Sequence, residues 1–218
     1  FPNTKWKKNN LGKGWVLGET LITGIGQGYI QSTPLQLCMM TAQIANGGYA
    51  IKPKIIVDSN PISYEDAKQS MESGLLFDTD SEELLDKKLF KNQKNIKIVQ
   101  EAMFASTNER FGTSYKSRID DPKYQFAGKT GTAQVKRISK RERELDLELE
   151  QIPYKDRDHA LYVAYGPYVN PRYALSIIIE HGGSGSKAAA PIAKKLFKLI
   201  IDRHELRNKQ SNFERITI

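Results

Sequence analysis

Cysteine and long apolar runs are what this 218-residue sequence most clearly lacks. Its single cysteine, Cys38, excludes an intrachain disulfide and is expected to be a small buried hydrophobe in an apolar helix. No apolar run reaches the roughly eighteen residues that a membrane-spanning helix needs. The three histidines are not spaced as metal ligands are, so the sequence predicts neither a metal site nor a cofactor.

Acidic residues are outnumbered by basic ones, which leaves a net charge of +8. Residues 187–218 alone hold eight basic residues against three acidic ones. No nucleic-acid-binding motif accompanies them, so no nucleic acid partner is predicted. We interpret this segment as the solvated face of a terminal helix, with an anionic lipid or polymer surface as the alternative partner.

Apolar spacing and capping residues predict three helices. Residues 1–22 look like an irregular lead-in. Thr33 and Pro34 are typical of a helix start and Gly47 of a helix end, which predicts a helix over 34–46. Two more helices are predicted over 94–112 and 187–204. The apolar face of the first is expected to consist of Ile98, Ala102 and Ala105. The apolar face of the second is expected to consist of Ile192, Leu196 and Ile200.

Runs rich in β-branched and aromatic residues predict the strands Tyr49–Val57, Tyr124–Val135, His159–Tyr168 and Tyr173–Glu180. Gly182–Ser186 is expected to be a flexible turn. Between these elements lie a polar insertion at about 58–93 and a charged excursion at about 136–158. The whole order predicts an α+β fold, an antiparallel sheet flanked by helices.

The run Lys129-Thr130-Gly131-Thr132-Ala133-Gln134 carries the chemistry. Because side chains alternate along a strand, Thr130 and Thr132 point to one side and can hold a carboxylate or a peptide group. Gly131 has no Cβ, so another backbone can approach there. Lys129 adds a cation for an anionic substrate end. Lys-Thr-Gly occurs often by chance, so the tripeptide alone is more often a strand with a surface lysine.

Two further segments make the Lys-Thr-Gly motif a more specific indication of function. Gly26-Gln27-Gly28, followed by Thr33-Pro34-Leu35-Gln36, resembles the block that precedes the Lys-Thr-Gly strand in high-molecular-mass class B penicillin-binding proteins. The segment Asp158–Pro167 is similar to the strand that follows Lys-Thr-Gly in that family. The order and spacing of the three segments resemble those of the elongation-type D,D-transpeptidases in this family. The resemblance covers roughly 11–57 and 94–203.

This resemblance implies that residues 1–218 are a partial domain, the C-terminal part of a transpeptidase domain with a β-lactamase-like fold. The complete enzyme would cross-link peptidoglycan stem peptides by serine acyl transfer and would be acylated by β-lactam antibiotics. Its implied partners are also a lipid-linked glycosyltransferase and the elongation machinery. It would face the periplasm at the bacterial inner membrane, anchored by a helix outside this chain.

The resemblance also implies roles for the motif residues. Lys129 would support the proton network of the nucleophile and attract the substrate carboxylate, which the hydroxyls of Thr130 and Thr132 would bind. The backbone N–H of Thr132 would be one of two oxyanion donors, and removal of such a donor typically costs about 10²–10³ in rate. Gly131 and Gln134 would belong to the strand edge that binds the peptide stem.

The family's nucleophile motif, Ser-x-x-Lys, is expected upstream of this chain. Ser184-Gly-Ser-Lys187 fits the pattern but follows Lys-Thr-Gly instead of preceding it, and Ser106-Thr-Asn108 fits Ser-x-Asn inside a predicted helix. We interpret both as coincidences. His159 opens a predicted strand and is expected to be structural. The chain starts at Phe1 instead of Met, so we expect a piece of a longer protein that is inactive alone.

Two other functions stay open at this point. A shortened relative could bind muropeptide or a protein partner without chemistry, and a β-lactamase or β-lactam sensor could share the Lys-Thr-Gly strand. An upstream Ser-x-x-Lys motif would exclude the first alternative, and the rate of deacylation would separate the second from a synthase.

Overall fold

The computed structural model describes residues 2–51, 53, 88–136 and 147–216, with side chains up to residue 207. It divides into two compact units, one of residues 1–36 and one of residues 37–218. The polar insertion predicted at 58–93 lies mostly outside the described residues, as does the middle of the charged excursion, 137–146. Within the described ranges, no helix is long and apolar enough to cross a membrane.

The first unit contains two short helices, α1 (Thr4–Leu11) and α2 (Leu17–Gly24), so the prediction of an irregular lead-in is wrong. Local hydrogen bonds, not apolar spacing, define these helices. The side chain of Asn3 accepts from the backbone N–H of Trp6, and Gly12 ends α1 with a φ of +65°. The buried ammonium of Lys7 pairs with Glu19 of α2.

Helix α3 (Pro34–Ala45) begins as the sequence predicts. The hydroxyl of Thr33 accepts from the Gln36 backbone N–H at 3.2 Å, and the Gln36 side chain accepts from the Thr33 N–H at 2.9 Å. This reciprocal pair satisfies two backbone donors at the start of the helix. Gly47 and Gly48 then adopt φ values of +88° and +91°, which end it.

The second unit is built on a sheet of β1 (Ala127–Ala133), β2 (His159–Gly166) and β3 (Tyr173–Ile179). The described strands are antiparallel and lie in the order β1-β2-β3, which confirms the α+β prediction. The first strand is shorter than the predicted Tyr124–Val135. Pro122–Tyr124 instead forms a 3₁₀ turn, because the side chain of Asp121 caps it.

Helix α4 (Gln93–Asn108) lies on one face of the sheet and stops four residues before the predicted end. Met103 packs there with Ala127 and Tyr165. The prediction that Ile98, Ala102 and Ala105 form the buried face of α4 is wrong, because these residues line an open groove. The residues of α4 that are buried are Ile96, Met103 and Thr107.

Helix α5 (Ala190–Ile216) covers the opposite face and follows a π-helical turn, Gly185–Ala189. Its buried stripe is shifted by one position from the predicted one and consists of Ala193, Phe197 and Ile201. Phe197 stacks on Phe126 with a ring-centroid distance of 4.8 Å. The predicted flexible turn, Gly182–Ser186, ends inside this π-helical turn, where Gly185 is buried.

Two predicted segments are only partly described. Tyr49 pairs with Lys88 as a single β-bridge, so residues 49–51 form no regular strand, and most of the rest of Tyr49–Val57 lies outside the described residues. The described end of the charged excursion, 147–158, contains two 3₁₀ turns, at Leu149–Gln151 and Tyr154–Asp156.

Candidate active site

Strand β1 presents the Lys-Thr-Gly motif at the edge of the described sheet. Lys129 is exposed, and its ammonium donates to the carbonyl oxygen of Thr130 at 2.7 Å. It lies opposite Val163 on the sheet face that carries α4. There it lines a groove of about 640 Å³, whose other lining residues include Met40, Ile44, Ile98, Val99, Met103 and Phe111. The lysine therefore places a positive charge beside a mainly apolar groove, which Ser106 and Thr113 also line.

Thr130 and Thr132 share the other face of β1, as strand alternation predicts. Thr130 lies opposite Tyr162 and Thr132 opposite Ala160. Thr130 is half-buried and Thr132 is exposed. Gln134 follows the end of the strand and is exposed as well. Two hydroxyls in one row can bind a carboxylate, and the Lys129 ammonium reaches the Thr130 carbonyl oxygen beside them from the other face.

The backbone that approaches Gly131 is that of Gly185, at the start of the π-helical turn. A Cβ built on Gly185 would lie 2.8 Å from the Gly131 carbonyl oxygen and 2.2 Å from that of Leu161. A Cβ on Gly131 would meet only the Leu161 Cβ, at 3.3 Å. The predicted close approach of another backbone to Gly131 is thus present, but the position that excludes a side chain is Gly185.

A row of hydroxyls continues from Thr130 away from the strand. The Thr113 hydroxyl lies 3.2 Å from that of Thr130 and 3.3 Å from that of Ser106 on α4. We call Ser106, Thr113 and Thr130 the hydroxyl row. Thr113 was not predicted as a site residue, because nothing in its neighbouring sequence signals a contact with a residue seventeen positions away.

A buried cluster lies next to this row. The Tyr162 hydroxyl is 2.9 Å from that of Thr107 and 3.0 Å from that of Ser114. Burial raises the pKa of Tyr162, so the phenol stays neutral and can donate. A Cβ on Gly128 would lie 2.3 Å from the Tyr162 hydroxyl, so the strand can pass this side chain only because the residue is glycine.

Two histidines, His159 and His181, lie near the C-terminal end of β1. His159 lies opposite Ala133, and its Nδ1 accepts from the backbone N–H of His181 at 2.9 Å. His181 has a φ of +56°, and its own Nδ1 lies 3.0 Å from the Arg157 carbonyl oxygen. These bonds join two chain segments, which agrees with the structural role expected for His159.

The two coincidental motifs have structural contacts. Ser184 bonds Ser186 hydroxyl to hydroxyl at 2.9 Å at the start of the π-helical turn, while Lys187 is exposed. The Asn108 amide donates to the carbonyl oxygens of Phe104 and Phe126, both at 3.0 Å. Neither motif presents a serine and a basic group as one bonded pair in the described contacts.

Comparisons with known proteins point to one family. Residues 2–198 match the model of the penicillin-binding protein transpeptidase domain. Peptidoglycan D,D-transpeptidase MrdA of Salmonella typhimurium is 32% identical over 206 residues, which are 93% of this chain and 30% of that protein. MrdA of Escherichia coli K12 is 29% identical over 214 residues. The chain thus spans under a third of the length of these curated relatives.

Solved structures agree with this result. PBP2 of Pseudomonas aeruginosa, in complex with WCK 5153, is 33% identical and superposes with a TM-score of 0.67 over 91% of this chain and 37% of that one. PBP2 of Helicobacter pylori, in complex with MreC, is 29% identical with a TM-score of 0.65, and the match covers 92% of this chain and 30% of that one.

Proposed function

Because this chain belongs to the penicillin-binding protein transpeptidase family, we propose that it is part of a peptidoglycan D,D-transpeptidase of the PBP2 type. The complete enzyme cross-links stem peptides. A serine outside this chain attacks the penultimate D-Ala carbonyl, the terminal D-Ala leaves, and an amine of a second stem peptide takes the acyl group. Alone, residues 1–218 lack the nucleophile and are inactive.

The observation that carries this proposal is the arrangement on β1, where an ammonium and two hydroxyls lie within four residues at the edge of the described sheet. Thr130 and Thr132 bind the terminal carboxylate of the stem peptide. Lys129 stabilises that carboxylate and supports proton transfer at the nucleophile. Charge-assisted hydrogen bonds of this kind are roughly twice as strong as neutral ones.

The remaining motif residues shape the edge of the site. The backbone N–H of Thr132 donates to the developing oxyanion, and Gln134 continues the edge along the peptide stem. The turn that begins at Gly185 packs against the backbone of Gly131, because Gly185 has no side chain. Acylation by β-lactams follows from the same geometry, because these antibiotics present a strained carbonyl and a carboxylate to the same groups.

The partners and location of the enzyme follow from its relatives. PBP2 of Helicobacter pylori has been solved with MreC, which supports binding of this enzyme to a similar partner. The rest of the elongation machinery and a glycosyltransferase that uses lipid-linked substrate are further partners that we propose from the family resemblance alone. The substrate of this enzyme lies in the cell wall, so the domain faces the periplasm at the inner membrane.

Mass spectrometry of the intact enzyme after exposure to a penicillin tests the proposal. We expect one stoichiometric penicilloyl adduct, on a serine outside residues 1–218. A stoichiometric adduct on Ser184 or Ser106 would contradict our interpretation of these motifs as coincidences. No adduct at all would favour a non-catalytic binding module, and rapid release of the adduct would favour a β-lactamase.

A further inference from the structure

The proposed function gives a role to Thr130 but none to the other two members of the hydroxyl row, Ser106 and Thr113. Thr113 is exposed, lies outside the Lys-Thr-Gly strand, and contacts the hydroxyl of Thr130 at 3.2 Å. Thr130 is half-buried and has this hydroxyl beside its own. Whatever binds to Thr130 therefore meets a side chain whose orientation depends on Thr113.

The position of Thr113 is determined by the residues on either side of it. The Ser114 backbone N–H and side chain both donate to the Ser106 carbonyl oxygen, each at 3.0 Å. A Cβ on Gly112 would lie 2.3 Å from that same carbonyl oxygen, so this residue must be glycine. The segment 112–114 is thus attached to the end of α4, and it presents Thr113 to β1 as a fixed group.

We propose that Thr113 is a positioning residue that orients the Thr130 hydroxyl toward a substrate carboxylate. Each hydroxyl carries a single proton. When the Thr130 proton points to a carboxylate, its oxygen can accept from Thr113, whose oxygen in turn accepts from Ser106. The anion thereby sets one direction for the whole row, and each bond polarises the next.

This inference rests on the proposed function, because it needs the carboxylate that Thr130 is proposed to bind. The test compares the intact enzyme with Thr113→Val, which keeps the branched shape and removes the hydroxyl, and with Thr113→Ser, which keeps the hydroxyl. The second-order acylation rate constant is measured for a penicillin with a free carboxylate and for its methyl ester. The acid-to-ester ratio reports carboxylate recognition, and a general loss of structure would lower both rates together.

We expect Thr113→Val to lower the acid-to-ester ratio by about threefold to tenfold, the usual effect of one lost hydrogen bond. Thr113→Ser should restore it to within about twofold, and Ser106→Ala should lower it in the same direction. Thr4→Val is the matched control, because it makes the same chemical change at an exposed position in α1. Its ratio should equal that of the wild type.

An unchanged ratio in Thr113→Val, or no recovery in Thr113→Ser, would overturn the inference while leaving the proposed function intact. A wild-type enzyme that is acylated equally fast by acid and ester would overturn the carboxylate role and this inference together. A wild-type enzyme that neither compound acylates would overturn the proposed function itself.

Discussion

At the scale of single residues, the charge of Lys129 matters because of its surroundings. Its ammonium lies beside a groove lined mainly by apolar side chains and next to a strand that carries two hydroxyls. Other lysines of the second unit, such as Lys97 and Lys123, face carboxylates in surface ion pairs. Position, not residue type, distinguishes the proposed catalytic lysine from the rest.

Replacement of Lys129 should therefore impair acylation selectively. In the intact enzyme we expect Lys129→Ala to slow acylation by a penicillin about hundredfold, the usual size of a proton-transfer contribution. Lys97→Ala is the matched control, because it removes a lysine whose surface ion pair with Glu101 contributes little. Stopped-flow acylation rates provide the measurement, and equal rates for the two variants would remove Lys129 from the site.

At the scale of elements, the contact between β1 and the π-helical turn decides where the motif strand lies. Gly185 packs directly on the backbones of Gly131 and Leu161. The turn therefore supports the motif strand from the face covered by α5.

Gly185→Ala should consequently destabilise the second unit, because the new methyl group would overlap two backbone carbonyls. We expect a loss of about 1–3 kcal/mol in the free energy of unfolding, measured by urea denaturation. Gly14→Ala is the control, since a Cβ there meets no atom within 4 Å, and its effect should stay within about 0.5 kcal/mol. Equal midpoints for the two variants would show that the turn can move away from β1.

An ion pair between Lys7 of α1 and Glu19 of α2 links the two helices of the first unit. The hydrogen bond from Lys7 holds the pKa of Glu19 below its ordinary value, with a smaller contribution from the Val16 backbone N–H. The resulting stability is fully present above the ordinary glutamate pKa of about 4.3 and is lost as pH falls through the lowered pKa of the folded state.

Glu19→Gln should therefore weaken hydrogen-exchange protection of the α1 amides at pH 7, and the difference from wild type should vanish in strong acid. Glu180→Gln, at an exposed position, serves as the control and should change neither. A difference that persists unchanged in strong acid would mean that the charge of Glu19 does not stabilise these helices.

How well the sequence predicts each element depends on the kind of signal. The start of α3 was predictable because Thr33, Pro34 and Gln36 satisfy each other within one turn. Helix α1 was missed because most of its residues are polar, and α2 was missed because its N-cap position holds Val16, which is not a typical N-cap residue. The predicted apolar stripe of α5 differs from the buried one by one position, since neighbouring apolar positions fit a helical period equally well.

In the candidate site, too, local features were predictable from the sequence and contacts between distant segments were not. The Lys-Thr-Gly strand and the alternation of its two threonines followed from local sequence. The contact of Thr113 with Thr130 and the close approach of Gly185 did not, because both join segments that only the folded chain brings together.

At the scale of the whole molecule, apolar side chains remain exposed around the groove beside Lys129. Phe111 is 80% exposed and Ile98 62% exposed, and both line that groove. Exposed apolar surface of this kind promotes association. We expect residues 1–218, expressed by themselves, to associate at high concentration.

Phe111→Asp should reduce this association, measured by analytical ultracentrifugation, because it places a charge on the most exposed ring at the groove. Val169→Asp makes the same kind of change at another highly exposed apolar position that does not line the groove, and it should have less effect. Association that is the same in both variants would mean that the groove is not its cause.

The central claim is that the threonines of β1 bind the terminal carboxylate of a stem peptide. Its most direct test is kcat/KM for release of D-Ala from a D-Ala-D-Ala donor peptide by the intact enzyme. We predict that Thr130→Val combined with Thr132→Val lowers kcat/KM by about 10²–10⁴-fold, as expected when two hydrogen bonds to a charged group are lost. A double variant that releases D-Ala as efficiently as the wild type would contradict the account.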